Sequence, residues 1–318
     1  MSETANKAVV IRSTGSWYIL RNEAGELLDA RIKGKFRLKG IKTTNPIAVG
    51  DWVQYETDTE DENAIITVIE DRKNYIVRKS VNLSKQAHII AANVDYALLV
   101  VTVANPRTST GFIDRFLVTA EAYHISPILV FNKIDILTEE ERLEMEYLIH
   151  VYSEIGYQCI RTSAIAHEGL EEVKAILKGK TSMFSGHSGA GKSSLINAID
   201  ETLAAKVGII SESTYKGKHT TTFAEMFTLS FGGDIIDTPG IKGFGLVDFD
   251  KEDLNHYFIE MRDFLPNCKF NNCLHLEEPK CAVKDAVDEG LISPERYKNY
   301  VAIISDDEEV HYRTSDYS

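Results

Sequence analysis

The sequence of 318 residues contains no apolar run long enough to cross a membrane as a helix. Its most apolar stretch, residues 96–103, has the length and composition of a β-strand. The first seven residues are polar and include an acid, so we expect no secretory segment. Four cysteines are too few for a disulfide scaffold in a chain of this length. We therefore predict a cytoplasmic protein that does not associate with membranes.

Basic residues are in the minority, since 35 Lys and Arg oppose 48 Asp and Glu and give a net charge of −13. This balance excludes a uniformly basic nucleic-acid-binding protein, although one local basic face would suffice for such a function. Residues 1–85 contain slightly more basic than acidic side chains, and the acidic excess lies after them.

Residues 31–39 alternate basic side chains with apolar residues or glycine. Successive side chains of a strand point to opposite faces, so the cations would share one face. We expect this basic stripe to contact RNA phosphates. The alternative is a solvated strand face whose charges prevent edge aggregation. The basic stripe consists of Arg31, Lys33, Lys35, Arg37 and Lys39.

Residues 186–193 match the P-loop pattern G-x-x-x-x-G-K-[ST], between a short apolar strand and a helix start. This context disfavours a glycine-rich turn that matches by chance. The glycines let backbone N–H groups turn toward phosphate oxygens at a helix N-terminus. Lys192 would reach the β- and γ-phosphates, and the Ser193 hydroxyl would ligate Mg²⁺. The predicted phosphate-binding residues are Gly186, His187, Ser188, Gly189, Ala190, Gly191, Lys192, Ser193 and Ser194.

A second motif indicates which base is bound. Residues 132–135 follow an apolar strand and match the guanine-reading motif Asn-Lys-x-Asp of GTPases. Asp135 can accept two hydrogen bonds from guanine, whereas adenine lacks this pair of donors. Asn132 would tie the loop to the P-loop. The motif predicts GTP and GDP as ligands and disfavours a P-loop ATPase or kinase. The predicted guanine-binding residues are Asn132, Lys133, Asp135 and, after the next strand, Ser163 and Ala164.

Two further segments complete the set of GTPase motifs. The segment from Asp237 to Gly240 resembles the Asp-x-x-Gly motif, in which the Asp reaches Mg²⁺ through water and the Gly N–H contacts the γ-phosphate. A threonine-rich loop at residues 216–222 has the place of switch I, and we expect Thr221 to ligate Mg²⁺. The guanine-reading loops precede the P-loop, although they usually follow it. We therefore predict a circularly permuted core.

Three of the four cysteines and one histidine fall within 14 residues. Three thiolates and one imidazole match the ligand set of a closed structural zinc site. Such a site leaves no open coordination position, so we do not expect a catalytic zinc. The alternative is three unrelated buried thiols. The predicted zinc ligands are Cys268, Cys273, His275 and Cys281.

The pattern of apolar residues changes twice along the chain. Short strands dominate the N-terminal part, strands alternate with helices in the middle, and the C-terminal part is helical. We predict an OB-fold-like RNA-binding barrel at residues 1–72, a linker at 73–93, a circularly permuted α/β GTPase domain with a mostly parallel sheet at 94–245, and a helical zinc-binding domain at 246–318.

This combination resembles the ribosome small-subunit-dependent GTPase A family (RsgA) over nearly the whole chain. The resemblance implies GTP hydrolysis stimulated by the small ribosomal subunit in late assembly, with contacts to 16S-type rRNA from the barrel and the zinc domain. It also implies a catalytic role for His219; the alternative is a loop histidine without one. Ile241 supports the role, because Ras-like enzymes place a water-orienting Gln there. The chain departs from the family at Lys280, where Gly is frequent.

A second function fits the same residues. The chain can be a nucleotide-controlled rRNA-binding checkpoint protein in which hydrolysis is incidental. The two functions differ in whether a variant that binds GTP without hydrolysing it stays on the subunit. In either case we expect a monomer.

Overall fold

The computed structural model describes residues 6–32, 46–57, 63–79, 87–203, 224–237 and 251–305. Of the basic stripe it describes Arg31, which lies near the end of a strand. Seven predicted site residues lie outside the described ranges: Lys33, Lys35, Arg37, Lys39, His219, Thr221 and Gly240.

Five N-terminal strands close into a small barrel. They are β1 (Asn6–Ser13), β2 (Tyr18–Asn22), β3 (Leu27–Ile32), β4 (Trp52–Thr57) and β5 (Ala64–Ile69). The order is β1-β2-β3-β5-β4, and β4 pairs back onto β1. β3 and β5 are parallel, whereas the other neighbours are antiparallel, as in an OB-fold. Val10, Leu20 and Ile66 are fully buried inside the barrel. The predicted OB-like barrel is confirmed.

The third strand begins earlier than the alternation at residues 31–39 predicted. Asn22 Oδ1 accepts hydrogen bonds from the N–H groups of Ala24 (3.0 Å) and Glu26 (2.9 Å). This side chain closes the turn between β2 and β3, so β3 starts directly after it, at Leu27.

Residues 73–93, predicted as a linker, contain an antiparallel pair of strands, β6 (Tyr75–Lys79) and β7 (Ala87–Ala92). Ile76 and Ala91 are buried in the same apolar cluster as the central domain. Asn74, just before β6, donates to Val94 O (2.7 Å) and accepts from Val94 N (2.8 Å). The segment is therefore packed structure, although its mixed charge suggested a solvated connection. The domain boundaries stay a prediction.

A mostly parallel sheet forms the central domain. Its strands are β8 (Tyr96–Val101), β9 (Ser126–Phe131), β10 (Gln158–Arg161), β11 (Thr181–Ser185), β12 (Glu225–Thr228) and β13 (Asp234–Asp237). The order is β10-β9-β8-β11-β13-β12, with β12 antiparallel to β13 and the other neighbours parallel. Leu98 and Leu99 point to opposite faces and are both fully buried, as expected for a sheet covered on both sides. The predicted α/β class is confirmed.

Helices cover both faces of this sheet. They are α1 (Thr110–Ala122), α2 (Glu139–Ile155), α3 (Leu170–Leu177) and α4 (Lys192–Ile199). α1 and α2 contribute to the apolar cluster on one face, and α3 and α4 to the cluster on the other. Thr138 begins α2 as part of a capping box with Glu141. Ser109 begins α1 and accepts a hydrogen bond from Phe112 N at 3.2 Å.

The C-terminal part is helical, as predicted. Its α-helices are α5 (Leu254–Tyr257), α6 (Ala282–Asp288) and α7 (Pro294–Ile304). Phe258, Val283 and Tyr300 are fully buried in its core, which also includes Val118 of α1. The C-terminal part is therefore packed directly on the central domain. Among the described helices none is long and apolar enough to cross a lipid bilayer.

Candidate nucleotide-binding site and metal cluster

The P-loop connects the carboxyl end of β11 to the first turn of α4, which is the context that the sequence predicted. A Cβ atom on Gly186 would lie 2.6 Å from Val100 O, and one on Gly191 would lie 2.4 Å from Asn132 Nδ2. Both positions therefore require glycine, which also tolerates the backbone shape. Positive φ values occur at Gly186 (137°), Gly189 (82°) and Gly191 (95°).

The Lys192 side chain folds back over the P-loop. Its Nζ donates hydrogen bonds to Gly186 O at 2.7 Å and to His187 O at 2.8 Å. Burial lowers the pKa of Lys192 from its usual value. Gly191, the N-cap of α4, brings no side-chain acceptor, so the N–H groups of the first turn can serve phosphate oxygens. An anionic ligand here would meet both these N–H groups and the Lys192 ammonium.

His187 packs against the start of α1. Its ring centroid lies 4.2 Å from that of Phe112, with the two rings inclined at 32°. Burial lowers the pKa of His187, and the nearby charge of Lys192 lowers it further. The neutral imidazole is therefore favoured near neutral pH. This contact links the P-loop to α1, and no motif in the sequence indicated it.

Asn132 joins three loops at the carboxyl edge of the sheet. The side chain is buried, and its Nδ2 donates to Ala190 O of the P-loop at 3.0 Å. Its Oδ1 accepts a hydrogen bond from Thr162 Oγ1 at 3.2 Å. The expected tie between the Asn132 loop and the P-loop is therefore present. Thr162 was not among the predicted site residues, because only the tertiary structure shows that its hydroxyl reaches Asn132.

Asp135 and Ser163 come together although 28 residues separate them. Ser163 Oγ donates to Asp135 Oδ1 at 2.6 Å and accepts from Ala166 N at 2.9 Å. Ser163 therefore orients the carboxylate that is predicted to read guanine. Ala164, the other residue predicted in this loop, is half-buried beside the apolar cluster of α3 and α4.

Lys133 crosses the site from the guanine-reading loop. Its backbone is left-handed, with φ of 65°, and its Nζ donates to Asn105 O at 2.6 Å. Asn105 lies between β8 and α1, beside Pro106, whose Cδ would be 3.5 Å from a Cβ on Gly189. The segment between β8 and α1 thus borders both the P-loop and the guanine-reading loop. It contains no recognisable motif, so the sequence did not indicate it.

The remaining predicted residues divide between described and undescribed positions. Asp237 is the last residue of β13, which runs parallel to the P-loop strand β11. Because the carboxyl ends of parallel strands meet at one edge of a sheet, Asp237 lies at the same edge as the P-loop. Ser188 and Ser194 are exposed, and Ser193 is half-buried in the first turn of α4. Thr221, His219 and Gly240 are outside the described residues.

The four predicted zinc ligands converge in the C-terminal part. The ligand atoms of Cys268, Cys273, His275 and Cys281 all lie within 4.8 Å of one another. His275 Nδ1 is 3.3 Å from Cys281 Sγ and 3.6 Å from Cys268 Sγ. A zinc tetrahedron with Zn–S of about 2.3 Å and Zn–N of about 2.0 Å places sulfur and nitrogen about 3.5 Å apart. The donor set and its spacing therefore fit zinc.

The surrounding structure supports the shape of the cluster. Burial raises the pKa of Cys273 to about 12, an effect that a bound cation would oppose. The Glu278 carboxylate accepts hydrogen bonds from Leu274 N and Leu276 N, both at 2.8 Å. Tyr297 of α7 donates to His275 O at 2.6 Å. The ligand loop is thus held both by its own acidic side chain and by α7.

Lys280 stands in a left-handed conformation, with φ of 57°. Glycine adopts this conformation without the steric cost that a Cβ brings. We predict that Lys280→Gly raises the free energy of unfolding by about 1 kcal/mol. Urea denaturation of the full chain measures the change. Lys298→Gly is the control, because Lys298 is exposed within α7 and glycine there costs about 1 kcal/mol. Equal destabilisation by both variants would contradict the prediction.

Family models and known proteins match the chain along most of its length. The RsgA GTPase model matches residues 69–247, and the RsgA N-terminal domain model matches residues 7–66. The small ribosomal subunit biogenesis GTPase RsgA of Flavobacterium psychrophilum is 57% identical over 98% of this chain and 95% of its own. The protein of the same name from Phocaeicola vulgatus is 52% identical over 97% and 99%.

Two solved structures share the fold. The crystal structure of YjeQ from Thermotoga maritima superimposes with a TM-score of 0.78 and 37% identity, covering 95% of this chain and 98% of its own. YloQ, described as a circularly permuted GTPase, gives a TM-score of 0.74 and 28% identity, covering 96% and 95%. The P-loop, the guanine-reading loops and the strand order agree with these likenesses. The chain is a circularly permuted P-loop GTPase, and it belongs to the RsgA GTPase family.

Proposed function

We propose that this chain binds the small ribosomal subunit, contacts its 16S-type rRNA, and hydrolyses GTP there during late subunit assembly. One observation carries the proposal: Asn132 Nδ2 donates to Ala190 O at 3.0 Å, so the loops that recognise guanine and phosphate form a single site. The names of the curated relatives, small ribosomal subunit biogenesis GTPases, support the choice of partner. We also propose that the protein is cytoplasmic and acts as a monomer.

Each residue of the site has a proposed role. Asp135, oriented by Ser163, accepts hydrogen bonds from guanine, and Lys192 exchanges its contacts with loop carbonyls for phosphate oxygens. Ser193, Thr221 and Asp237 would hold Mg²⁺, since hydroxyl and carboxylate oxygens suit this ion. When bound, Mg²⁺ neutralises charge that develops on the transferred phosphate. His219 is proposed to orient the attacking water, because Ile241 cannot do so.

The test of this function is the rate of GTP turnover with and without purified small subunits. We expect small subunits to raise the rate, whereas large subunits at the same concentration should leave it unchanged. ATP, measured in parallel, should give little turnover. A rate that does not respond to small subunits would reject the proposed partner, and equal turnover of ATP would reject guanine recognition by Asp135.

Guanine selectivity should depend on Asp135. Asp135→Asn removes an anionic acceptor of two hydrogen bonds and should lower GTP affinity by about 1.5–3 kcal/mol. Xanthine nucleotide should gain affinity, because its ring carbonyl replaces the guanine amine and matches an amide donor. Equilibrium binding of both nucleotides measures the change. Asp263→Asn, at an exposed position of the C-terminal part, is the control. Unchanged GTP affinity in Asp135→Asn would refute the role.

The basic stripe is proposed to bind rRNA phosphates. Changing Lys33, Lys35 and Arg37 to Ala should weaken subunit binding and reduce its log–log salt dependence by up to about three, one for each lost phosphate contact. GTP turnover without subunits should stay the same. The control replaces three exposed lysines with the same change of charge: Lys178, Lys180 and Lys298. An identical salt dependence in both triple variants would favour the alternative of a solvated strand face.

The cluster of three cysteines and one histidine is proposed to bind one structural zinc ion. Support comes from the donor set, from the spacing of the ligand atoms within 4.8 Å, and from the burial of Cys273, His275 and Cys281. Elemental analysis of the purified chain should find about one zinc per chain. A preparation that contains no zinc and takes up none on titration would reject the site.

A further inference from the structure

Asn255 contacts the proposed metal cluster from outside its ligand set. It lies in α5, is 7% exposed, and places its Nδ2 3.0 Å from His275 Nε2. Its Oδ1 is buried and has no hydrogen-bond partner among the described residues. A buried amide oxygen without a partner is costly, by about 1–3 kcal/mol, so this arrangement calls for an explanation.

The two nitrogens of His275 have different tasks. Nδ1 faces the cluster, at 3.3 Å from Cys281 Sγ and 3.6 Å from Cys268 Sγ. A nitrogen that ligates a cation must offer its lone pair, so the proton of the neutral ring then lies on Nε2. Nε2–H is a donor and cannot accept a hydrogen bond from the Asn255 amide group. Zinc ligation through Nδ1 would therefore set two donors against each other at 3.0 Å.

Exchanging the oxygen and nitrogen of the Asn255 amide removes this conflict. The oxygen and the nitrogen of an amide group are nearly the same size, so both orientations fill the same space and the hydrogen-bond network decides between them. After the exchange Oδ1 lies 3.0 Å from Nε2 and accepts its proton, so the oxygen that lacked a partner gains one. The exchange gives up the long contact of 3.4 Å from Nδ2 to Cys273 O and moves the amide nitrogen to the position where the oxygen had no partner among the described residues.

We propose that Asn255 is a positioning residue for the metal site. Its Oδ1 accepts a hydrogen bond from His275 Nε2–H and thereby holds His275 Nδ1 toward the ion. This inference rests on the proposed zinc site and goes beyond it, because neither the ligand motif nor its spacing includes Asn255. The partner of a ligating imidazole fixes both its tautomer and its ring orientation. Asn255 precedes the first ligand, Cys268, and lies on the helix next to Phe258, which packs in the cluster that contains Val118 of α1.

Zinc retention in the full chain tests the proposal. Asn255→Leu keeps the approximate size but removes the acceptor, and should raise the zinc dissociation constant by about 10–100-fold in competition with a chelator. Asn255→Asp keeps an acceptor and should retain zinc at least as well as the unaltered chain. Asn267→Leu, an exposed position beside Cys268, is the control and should change little. Equal zinc affinity for Asn255→Leu and Asn255→Asp would overturn the proposal.

A second measurement needs no substitution and so does not depend on whether a variant folds. In the zinc-loaded chain with ¹⁵N-labelled histidine, two-bond ¹H–¹⁵N correlations identify which His275 nitrogen carries the proton. We expect the proton on Nε2 and the metal on Nδ1; the reverse would overturn the role of Asn255. Elemental analysis tests the zinc site separately from the role of Asn255. If zinc is present but bound to Nε2, the zinc site stands and only the role of Asn255 is rejected.

Discussion

Replacing His219 by Ala is expected to lower GTP turnover on small subunits by about 10²–10⁴-fold, the range for a lost acid–base or water-orienting group. GTP affinity should stay near that of the unaltered chain, because we propose that the P-loop contacts the phosphates and that the Asp135 loop contacts the base. Two sequence features support the expectation. Ile241 is apolar where related enzymes orient water, and His219 adjoins the threonines predicted to close over Mg²⁺.

The measurement compares stimulated turnover with GTP affinity in the same variant. His150→Ala is the matched control, because the His150 side chain is 72% exposed on α2; it should keep full turnover. If small subunits stimulate His219→Ala normally, groups supplied by the ribosome, and not His219, must orient the attacking water. The same variant separates the two functions that the sequence allows. If hydrolysis drives release, His219→Ala with GTP stays on the subunit; if hydrolysis is incidental, it leaves at the normal rate.

The residues that the sequence could predict are those whose role is local. The P-loop glycines are prescribed by backbone shape, and the order of motifs fixed the permutation, which the strand order β10-β9-β8-β11-β13-β12 reproduces. Strands β10, β9, β8 and β11 are neighbours and run parallel, so the guanine-reading loops after β9 and β10 lie at the same edge as the P-loop after β11. Thr162 and Asn105 escaped prediction, because each acts through one contact with a residue distant in sequence.

Helix α2 shows where periodicity stops being informative. The apolar spacing of residues 139–155 predicts a helix with Leu143, Tyr147, Leu148 and Val151 on one face. The helix has these bounds, but Leu143 and Tyr147 are 65% and 52% exposed, and the buried face consists of Met145, Leu148, Ile149 and Tyr152. Both faces of α2 carry apolar side chains, so the choice of the buried face depends on what lies opposite. One contact of the buried face is with Asp114 of α1, to which buried Tyr152 donates a hydrogen bond at 2.8 Å.

Asp114 belongs to a buried ionic network that joins the central domain to the C-terminal part. Arg296 of α7 is 2% exposed; its Nη1 donates to Asp114 Oδ1 at 2.6 Å, and its Nε donates to Glu260 Oε1 at 2.7 Å. Asn299 donates to the other Asp114 oxygen at 2.6 Å. Burial by itself would lower the pKa of Arg296, but the Asp114 and Glu260 carboxylates raise it well above its usual value. The guanidinium is therefore charged at every relevant pH.

Helix α1 connects this ionic network to the nucleotide site. Phe112, near the start of α1, packs on His187 of the P-loop, and Asp114, two residues later, binds Arg296 of the C-terminal part. One helix thus contacts the nucleotide site and the domain that carries the metal cluster. The sequence did not predict this contact between the two domains, because Asp114 and Arg296 are separated by 182 residues and belong to no motif.

Arg296→Met should therefore destabilise the C-terminal part severely. The substitution keeps apolar bulk but leaves two buried carboxylates without their cation, a change that costs about 3–5 kcal/mol. Hydrogen exchange of the α7 amides reports the loss directly, with protection expected to fall by about 10²–10⁴-fold for that free energy. Arg107→Met is the matched control, since it breaks the pair with Glu144 at a side chain that is 66% exposed, and exposed pairs contribute at most about 1 kcal/mol. Similar protection of α7 in both variants would mean that the network does not hold the domains together. In that case the apolar contacts around Phe258 and Tyr300 would suffice to hold α7 in place.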